Sequence, residues 1–308
     1  MSARPFLYSP TGNSIARRVM APFKSFIPEK YQFPVDGLLK VRVRGKSTLL
    51  LHVNPTCYQG KVLFWKGLNG FEPGIQVWFR RLVETADSFF DVGANIGLYS
   101  LLAVKYNPQI EVVSFEPLPA AFNFMELNAR ANNAVNVDAH QIALSDVSGE
   151  SEFHFSLNPK FLFVEDQLVS TGSLDEVQGY RTEERIAIPV TLQTLDHFME
   201  SYEGKGIDLI KIDTEATEHM VIKGARKTFE THRPIMFCEV LPNRVEAEIQ
   251  KEIMALDYAL FRIEGLSLVQ VNDLKHDASS TNDFIFCPTE KIGLLESAGT
   301  VVRPGTIS

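Results

Sequence analysis

The chain has 308 residues, 45% hydrophobic and 22% charged, with a formal net charge of −8. That length and balance fit one large α/β domain with an appendage, or two small domains, with a core that needs no disulfide or metal staple. The acidic balance argues against a nucleic-acid partner, and no run approaches the ~18 apolar residues of a membrane span.

No apolar stretch follows the start as a secretory signal would. The cysteines Cys57, Cys238 and Cys287 are odd in number and far apart, and two sit in apolar runs. They read as buried reduced thiols of a cytoplasmic protein, with no Cys/His spacing for zinc. Charge is unevenly spread. Residues 1–50 hold nine Lys/Arg against Glu29 and Asp36, a net of +7, so the remainder carries −15. Such a basic arm is either a solvated face or a contact for an anionic membrane surface or substrate.

Residues 1–35 read as irregular, broken by Pro5, Pro10, Pro22, Pro28 and Pro34. LLKVRVRG (38–45) alternates apolar and charged residues, and STLLLHV (47–53) follows a Gly-Lys turn, which is a hairpin signature. PGIQVWFRRLVETA (73–86) has helical spacing, with Ile75, Trp78, Phe79 and Leu82 on one face. Strands at 88–92 and 110–116 and a third at 136–142 then alternate with helices over 96–106 and 119–132. Strands at 207–213 and 234–240 flank a helix over 217–230, and another helix lies near 243–256. The tail has strand-like runs at 258–263, 266–271 and 283–287. This alternation predicts a mostly parallel sheet covered on both faces, with at least one tail strand antiparallel. SEFHFSL (151–157) and RIAIPVTL (185–192) read as two further strands around a loop-like stretch, 158–184. A loop that long is either a substrate lid or a disordered segment.

The stretch SFFDVGANIGLYS (88–100) carries the first chemical signal. In open parallel sheets, ligands sit beyond the carboxyl ends of the strands, and the first strand-to-helix turn is the usual approach. Gly93 and Gly97 remove Cβ atoms where the backbone bends, and the helix from Ile96 would offer free N–H groups. Glu116 ends the next strand, nineteen residues after Gly97. A carboxylate there can accept hydrogen bonds from both hydroxyls of an adenosine ribose. The dinucleotide fingerprint is absent, because Asn95 stands where it needs glycine. Asp91 would repel a pyrophosphate but suits a cationic group. The combination therefore points to S-adenosyl-L-methionine, with its sulfonium and ammonium, and away from a dehydrogenase or a nucleotide hydrolase.

FDVGANIGLYS (90–100), VVSFEPLPAAF (112–122), ALSD (143–146) and TGSL (171–174) stand in this order, followed by TLDHF (194–198), DLIKIDTEATEHMVIKGA (208–225) and PIMFCEV (234–240). Together they resemble the FkbM family of S-adenosylmethionine-dependent methyltransferases. WKGLNGFEPG (65–74) resembles that family's lead-in. The resemblance implies a class I methyltransferase fold: a Rossmann-like seven-stranded α/β sheet, mostly parallel with an antiparallel last strand. A small N-terminal β/α extension would span 1–84, the methyltransferase domain 85–290 with an insertion about 156–185, and a tail 291–308. It also implies methyl transfer, usually to a hydroxyl oxygen. Where the family has Asp-x-Glu-Gly-x-Glu, this chain has Asp213-Thr214-Glu215-Ala216-Thr217-Glu218. If position 216 needs a positive φ, alanine costs about 1 kcal/mol there.

Asp213 is assigned to the methionine ammonium or to orienting the acceptor, and Glu215 to the general base, with helix capping as its alternative role. Glu239, across the sheet, would hold an acceptor hydroxyl, or with Asp213 a Mg²⁺ ion; no third ligand is visible and no metal site is assigned. Pro117 and Ala143 would flank adenine; Asp91, Gly93, Asn95, Gly97 and Glu116 complete the cofactor set. His219 is either a base or a solvated helix histidine, and His154, Ser170, Thr171 and Ser173 are candidate cleft residues from the insertion. Phe115, Phe122 and Phe124 read as packing residues. The acceptor is expected to be a small molecule, sugar, glycan or natural product. Methylation of a nucleobase amine is disfavoured, since no [ND]-P-P-[YF] follows the fourth strand. A catalytically impaired cofactor-binding interaction module stays open because of Ala216.

Overall fold

The structure is a computed structural model that describes residues 7, 9–45, 47–168, 172–174, 185–275 and 281–303. Helix α1 (Pro10–Met20) opens the described chain and runs into a 3₁₀ turn, Ala21–Phe26. This corrects the irregular reading of residues 1–35: Pro10 takes the first helical position, where its missing N–H costs nothing, and Ser9 caps the helix. Strands β1 (Gly37–Arg44) and β2 (Ser47–Val53) form the expected antiparallel hairpin. Helices α2 (Tyr58–Lys66) and α3 (Pro73–Val83) follow.

The central sheet begins with β3 (Ser88–Val92), helix α4 (Leu98–Tyr106), β4 (Glu111–Phe115), helix α5 (Pro119–Ala131) and β5 (Val137–His140). A separate sheet interrupts it, made of β6 (Ala143–Leu144), β7 (Gly149–Ser156), β8 (Gly172–Ser173) and β9 (Arg185–Gln193) in the order β6-β9-β7-β8. Helix α6 (Leu195–Ser201) leads into β10 (Leu209–Ile212), helices α7 (Glu218–Lys223) and α8 (Arg226–His232), β11 (Ile235–Glu239) and helix α9 (Glu246–Met254). Strands β12 (Tyr258–Glu264), β13 (Ser267–Val271) and β14 (Asp283–Pro288), helix α10 (Ile292–Ala298) and β15 (Val301–Val302) complete the chain.

Nine strands pair in the order β15-β13-β12-β14-β11-β10-β3-β4-β5. The run from β12 to β5 has the strand order and the reversed β14 of a class I methyltransferase sheet. Two strands beyond the expected seven, β13 and β15, extend the β12 edge. Period-two alternation divides the core. Phe89, Val112, Leu209 and Ile235 belong to one apolar cluster, and Phe90, Val113, Ile210 and Met236 to the other. On the first face Phe79 of α3 meets Phe89 edge-on at 4.9 Å and Tyr99 at 5.0 Å.

Two asparagines one turn apart on α5 fasten the hairpin to the sheet. Asn128 Oδ1 accepts from His52 N at 2.5 Å and Asn132 Oδ1 from Leu50 N at 3.0 Å, so side chains satisfy the β2 edge. Asn128 Nδ2 also donates to Ile96 O at 3.0 Å, linking the hairpin to the turn after β3. The single helix expected over 217–230 is split between α7 and α8. The break has a long-range partner: Gly224 O accepts from Asp196 N at 3.0 Å, and the Asp196 carboxylate accepts from Lys227 N and Thr228 N at the start of α8.

Candidate active site

A cavity of about 250 Å³ opens at the carboxyl ends of β3, β4, β10 and β11, where strand order reverses around β3. Its walls come from the loops after those strands, from Cys57–Gln59 at the start of α2, from Phe71 and Glu72, and from Phe153, Leu168 and Leu174 of the insertion. The insertion is tied to the extension: Leu168 N donates to Thr56 Oγ1 at 2.7 Å and Asn54 Nδ2 to Asp166 O at 2.5 Å.

The β3 and β4 loops are organised around Glu116. One carboxylate oxygen accepts from Asn95 N at 2.8 Å and the other from Leu118 N at 2.9 Å. Each oxygen keeps a further lone pair for a ligand hydroxyl. Burial pushes this carboxyl up to about 7, opposed by those two N–H bonds. Beside it, Pro117, Leu118, Ile142, Ala143 and Leu144 line an apolar slot that suits a flat heterocycle.

The opposite side is acidic. Asp213, Glu215, Glu239 and Glu72 all line the cavity, and Asp283 faces Glu239 in strand register. The buried Lys211 is the cation among them. Its Nζ donates to Asp213 Oδ2 at 2.5 Å and lies 4.8 Å over the Tyr99 ring. Burial alone would lower the Lys211 ammonium; Asp213, Glu72 and Asp91 override that and hold it above its ordinary value. Tyr99 donates its hydroxyl to Glu72 at 2.6 Å. Glu215 is pushed up to about 8 by burial and then by Asp213 and Glu218, and Glu239 to about 8 by burial, Asp213 and Glu215. Glu72 is pushed up to about 7 and Asp283 to about 6, burial leading in both. Carboxyls held this far above the carboxylate range, first by burial and then by one another, form a site that favours a cation.

Glu218, not Glu215, organises the turn after β10. Its Oε1 accepts from Thr214 N at 2.8 Å, Thr214 Oγ1 at 3.2 Å and Ala216 N at 3.2 Å. The Glu215 carboxylate makes no hydrogen bond among the described residues and is left facing the cavity. The backbone there is held at φ +57° for Glu215 and +79° for Ala216, so position 216 is a left-handed site occupied by alanine.

Of the sequence-derived set, Gly93, Asn95, Glu116, Pro117, Ala143, Asp213, Glu215 and Glu239 meet at this cavity. Asp91 does not. It is buried beneath the wall, where Oδ2 accepts from Ser100 N at 3.0 Å and Ser100 Oγ at 2.5 Å. Gly97 is also off the cavity. Its φ of +79° and a Cβ position 2.9 Å from Met125 Cγ require glycine for packing. Gly93 faces the cavity, yet its Cβ would stand 1.9 Å from Asp213 O, so the close approach is by the chain's own backbone. Of the N–H groups expected from Ile96 onward, those of Ile96, Gly97 and Ser100 are used within the protein, by Asn95 Oδ1, Ala94 O and Asp91 Oδ2, and α4 starts at Leu98.

Phe153 rather than its neighbour His154 faces the cavity. Ser170 and Thr171 lie outside the described residues, as does the Ser173 side chain. His219 is half-buried with Nδ1 unpartnered among the described residues. Phe115 is fully buried, as expected of a packing residue, although its edge reaches the cavity. Cys57, Cys238 and Cys287 are buried free thiols, each pushed up by burial and so unreactive. Among the described residues no group of three or more His, Cys, Asp or Glu side chains is arranged to hold a metal ion. No described helix is long and apolar enough to cross a membrane. The reading of the residues missed Glu72, Tyr99, Lys211 and Asp283. Lys211 carried a visible signal, a lone charge inside the apolar strand DLIKID.

"Methyltransferase 1" of Beauveria bassiana (strain ARSEF 2860) is 30% identical over 145 residues, covering 45% of this chain and 58% of that protein. "31-O-demethyl-FK506 methyltransferase FkbM" of Streptomyces tacrolimicus is 32% identical over 164 residues, covering 46% of this chain and 60% of that protein. The chain thus spans less than two thirds of the length of these curated relatives. Among solved structures, methyltransferase FkbM from Methylobacillus flagellatus KT is similar over 65% of this chain and 43% of that one, at 13% identity and a TM-score of 0.40. The family described as Methyltransferase FkbM domain matches residues 91–263, more than half of the chain. On that match, the chain belongs to the FkbM methyltransferase family.

Proposed function

We propose that the chain is an S-adenosyl-L-methionine-dependent methyltransferase acting on a hydroxyl oxygen of a small molecule, sugar, glycan or natural product. The observation that carries this reading is the two-sided cavity, with a diol-accepting carboxylate and apolar slot at one end and an under-neutralised acid cluster at the other. Residues 85–290 form the catalytic unit in this reading. The extension 1–84 completes the acceptor wall through Cys57, Tyr58, Phe71 and Glu72.

When bound, S-adenosyl-L-methionine supplies an electrophilic methyl group on a sulfonium. Glu116 would hold the ribose hydroxyls, and Pro117, Leu118 and Ala143 would flank the adenine. Asp213, held by Lys211, faces the ammonium end. Glu215 would take the hydroxyl proton of the acceptor and Glu239 would orient that hydroxyl; the methyl passes from sulfur to oxygen, so the S–C bond breaks as the O–C bond forms and S-adenosylhomocysteine is the leaving group. An alcohol needs such a base; Glu215 and Glu239 are the cavity carboxylates without a side-chain hydrogen bond among the described residues, and Glu215, on the same turn as Asp213, is assigned the proton. The printed name of the Streptomyces tacrolimicus relative, a demethyl-FK506 methyltransferase acting at an oxygen, supports the hydroxyl reading. The impaired-module alternative loses its motive in the Glu218 hydrogen bonds, which keep the 214–216 turn in place despite Ala216.

Methyl transfer from labelled S-adenosyl-L-methionine to a panel of hydroxylated acceptors tests the proposal. In Glu215→Gln, cofactor affinity is expected to persist while kcat falls by about 10²–10⁴. A variant that works at the parent rate would remove Glu215 from the mechanism.

A further inference from the structure

The N-terminal arm packs against the body with a side that joins hydrogen-bonded polar residues to Met20, which rests on the core. At about 100° per residue, Asn13, Arg17 and Lys24 share one side of the helical run 10–26. All three point inward. Asn13 Nδ2 donates to Pro34 O at 2.7 Å and Oδ1 accepts from Asp36 N at 3.0 Å. Arg17 donates to Asp36 O at 2.8 Å and Leu38 O at 3.0 Å, and Lys24 Nζ to Phe64 O at 3.1 Å. The opposite side carries Ile15, Val19, Phe23 and Phe26, which are 48%, 61%, 56% and 81% exposed. Their spacing is helical, and Phe23 and Phe26 fall in line within the 3₁₀ turn. An ordinary surface helix does the reverse, burying its apolar stripe. Single exposed apolar side chains are unremarkable, but a stripe of four backed by a hydrogen-bonded polar face is a surface shaped for contact.

Charge selects the partner. Arg18 is exposed on the helix next to Val19, Lys30 is exposed in the following turn over the Tyr31 ring, and Lys40 and Arg42 are exposed on β1, to whose start Arg17 ties the helix. The first fifty residues carry +7 on a chain whose remainder carries −15. An anionic surface is therefore attracted to this arm and repelled by the rest. Apolar and aromatic side chains rimmed by Lys and Arg are the chemistry of a helix lying in a headgroup layer.

We infer that this arm docks on an anionic lipid bilayer, with Ile15, Val19, Phe23 and Phe26 entering the interface and Arg18, Lys30, Lys40 and Arg42 facing lipid phosphates. The inference is independent of the methyl-transfer reading. Its test is sedimentation of the full chain with vesicles of phosphatidylcholine alone, or with about one third phosphatidylglycerol. Binding to the anionic vesicles is expected, weakening as salt is raised. Binding is expected to be at least about tenfold weaker, or about 1.4 kcal/mol, for Phe23→Ser/Phe26→Ser and for Arg18→Glu/Lys30→Glu. Both variants are expected to keep the parent melting temperature and S-adenosylhomocysteine affinity, since none of these residues lines the cavity. No sedimentation with anionic vesicles, or equal sedimentation of the Phe23→Ser/Phe26→Ser variant, overturns the inference. So does a dimer that this variant loses without vesicle binding, which would assign the stripe to a second copy.

Discussion

Replacing Ala216 by glycine is expected to stabilise the protein. Ala216 sits at φ +79°, directly after Glu215 at +57°. An L-residue pays about 1–2 kcal/mol for this left-handed conformation, and glycine does not. Glycine brings its own cost, about 0.4–1 kcal/mol, because it loosens the unfolded chain. The difference is a net gain of about 0.5–1 kcal/mol. In a chain of this size that raises the melting temperature by about 1–3 °C. The hydrogen bond from Ala216 N to Glu218 Oε1 is a backbone bond and survives the change. Thermal and urea unfolding of the parent, Ala216→Gly and Ala216→Val are the assay. Valine is expected to fall below the parent, because branching at Cβ is worst where φ is positive. An Ala216→Gly protein no more stable than the parent would refute the claim that position 216 stores strain.

Stability should also depend on pH through the acid cluster. Glu215 and Glu239 are pushed up to about 8 and Glu72 to about 7. Between about pH 4.5 and 8 the folded chain therefore holds more protons than the unfolded one, so the contribution of these groups to stability falls as pH rises through that window. Urea midpoints in the absence of ligand are expected to drop between about pH 5.5 and 8.5, less steeply in Glu215→Gln; a flat profile would contradict the burial argument. Lys211→Met leaves Asp213, Glu72 and Asp91 without their shared cation and is expected to cost about 3–5 kcal/mol. Adding Asp213→Asn should restore part of that loss in the same urea assay, and no recovery would mean that the two side chains act independently.

The sheet was legible because buried strands in a two-faced sheet must alternate. Pairs such as Phe89/Phe90 and Val112/Val113 can serve opposite cores only as strands. The place of Glu116 was legible for a related reason: spacing alone puts it at the tip of the strand next to the glycine turn, where it lines the cavity. What escaped depended on partners distant in sequence. The helix after β10 breaks at Gly224 where Asp196, from α6, takes up Gly224 O and the first N–H groups of α8. Asp91 turned away from the cavity because Ser100, one helix turn into α4, offers it two donors. Glu72 joined the site because the extension folds back over β3 and β10, which no local pattern states. The helix Pro10–Met20 was a different kind of miss, since Ser9 and Pro10 were start signals read as breakers.

Isothermal titration of S-adenosyl-L-methionine into the parent chain and into Glu116→Ala tests the account most directly. The parent is expected to bind one equivalent and to ignore NAD. Loss of the Glu116 carboxylate removes two charge-assisted bonds to the ribose, each worth about 1.5–3 kcal/mol, and should weaken binding at least about a hundredfold. Equal affinity in a folded Glu116→Ala protein, or a parent that takes NAD in preference, would contradict the account.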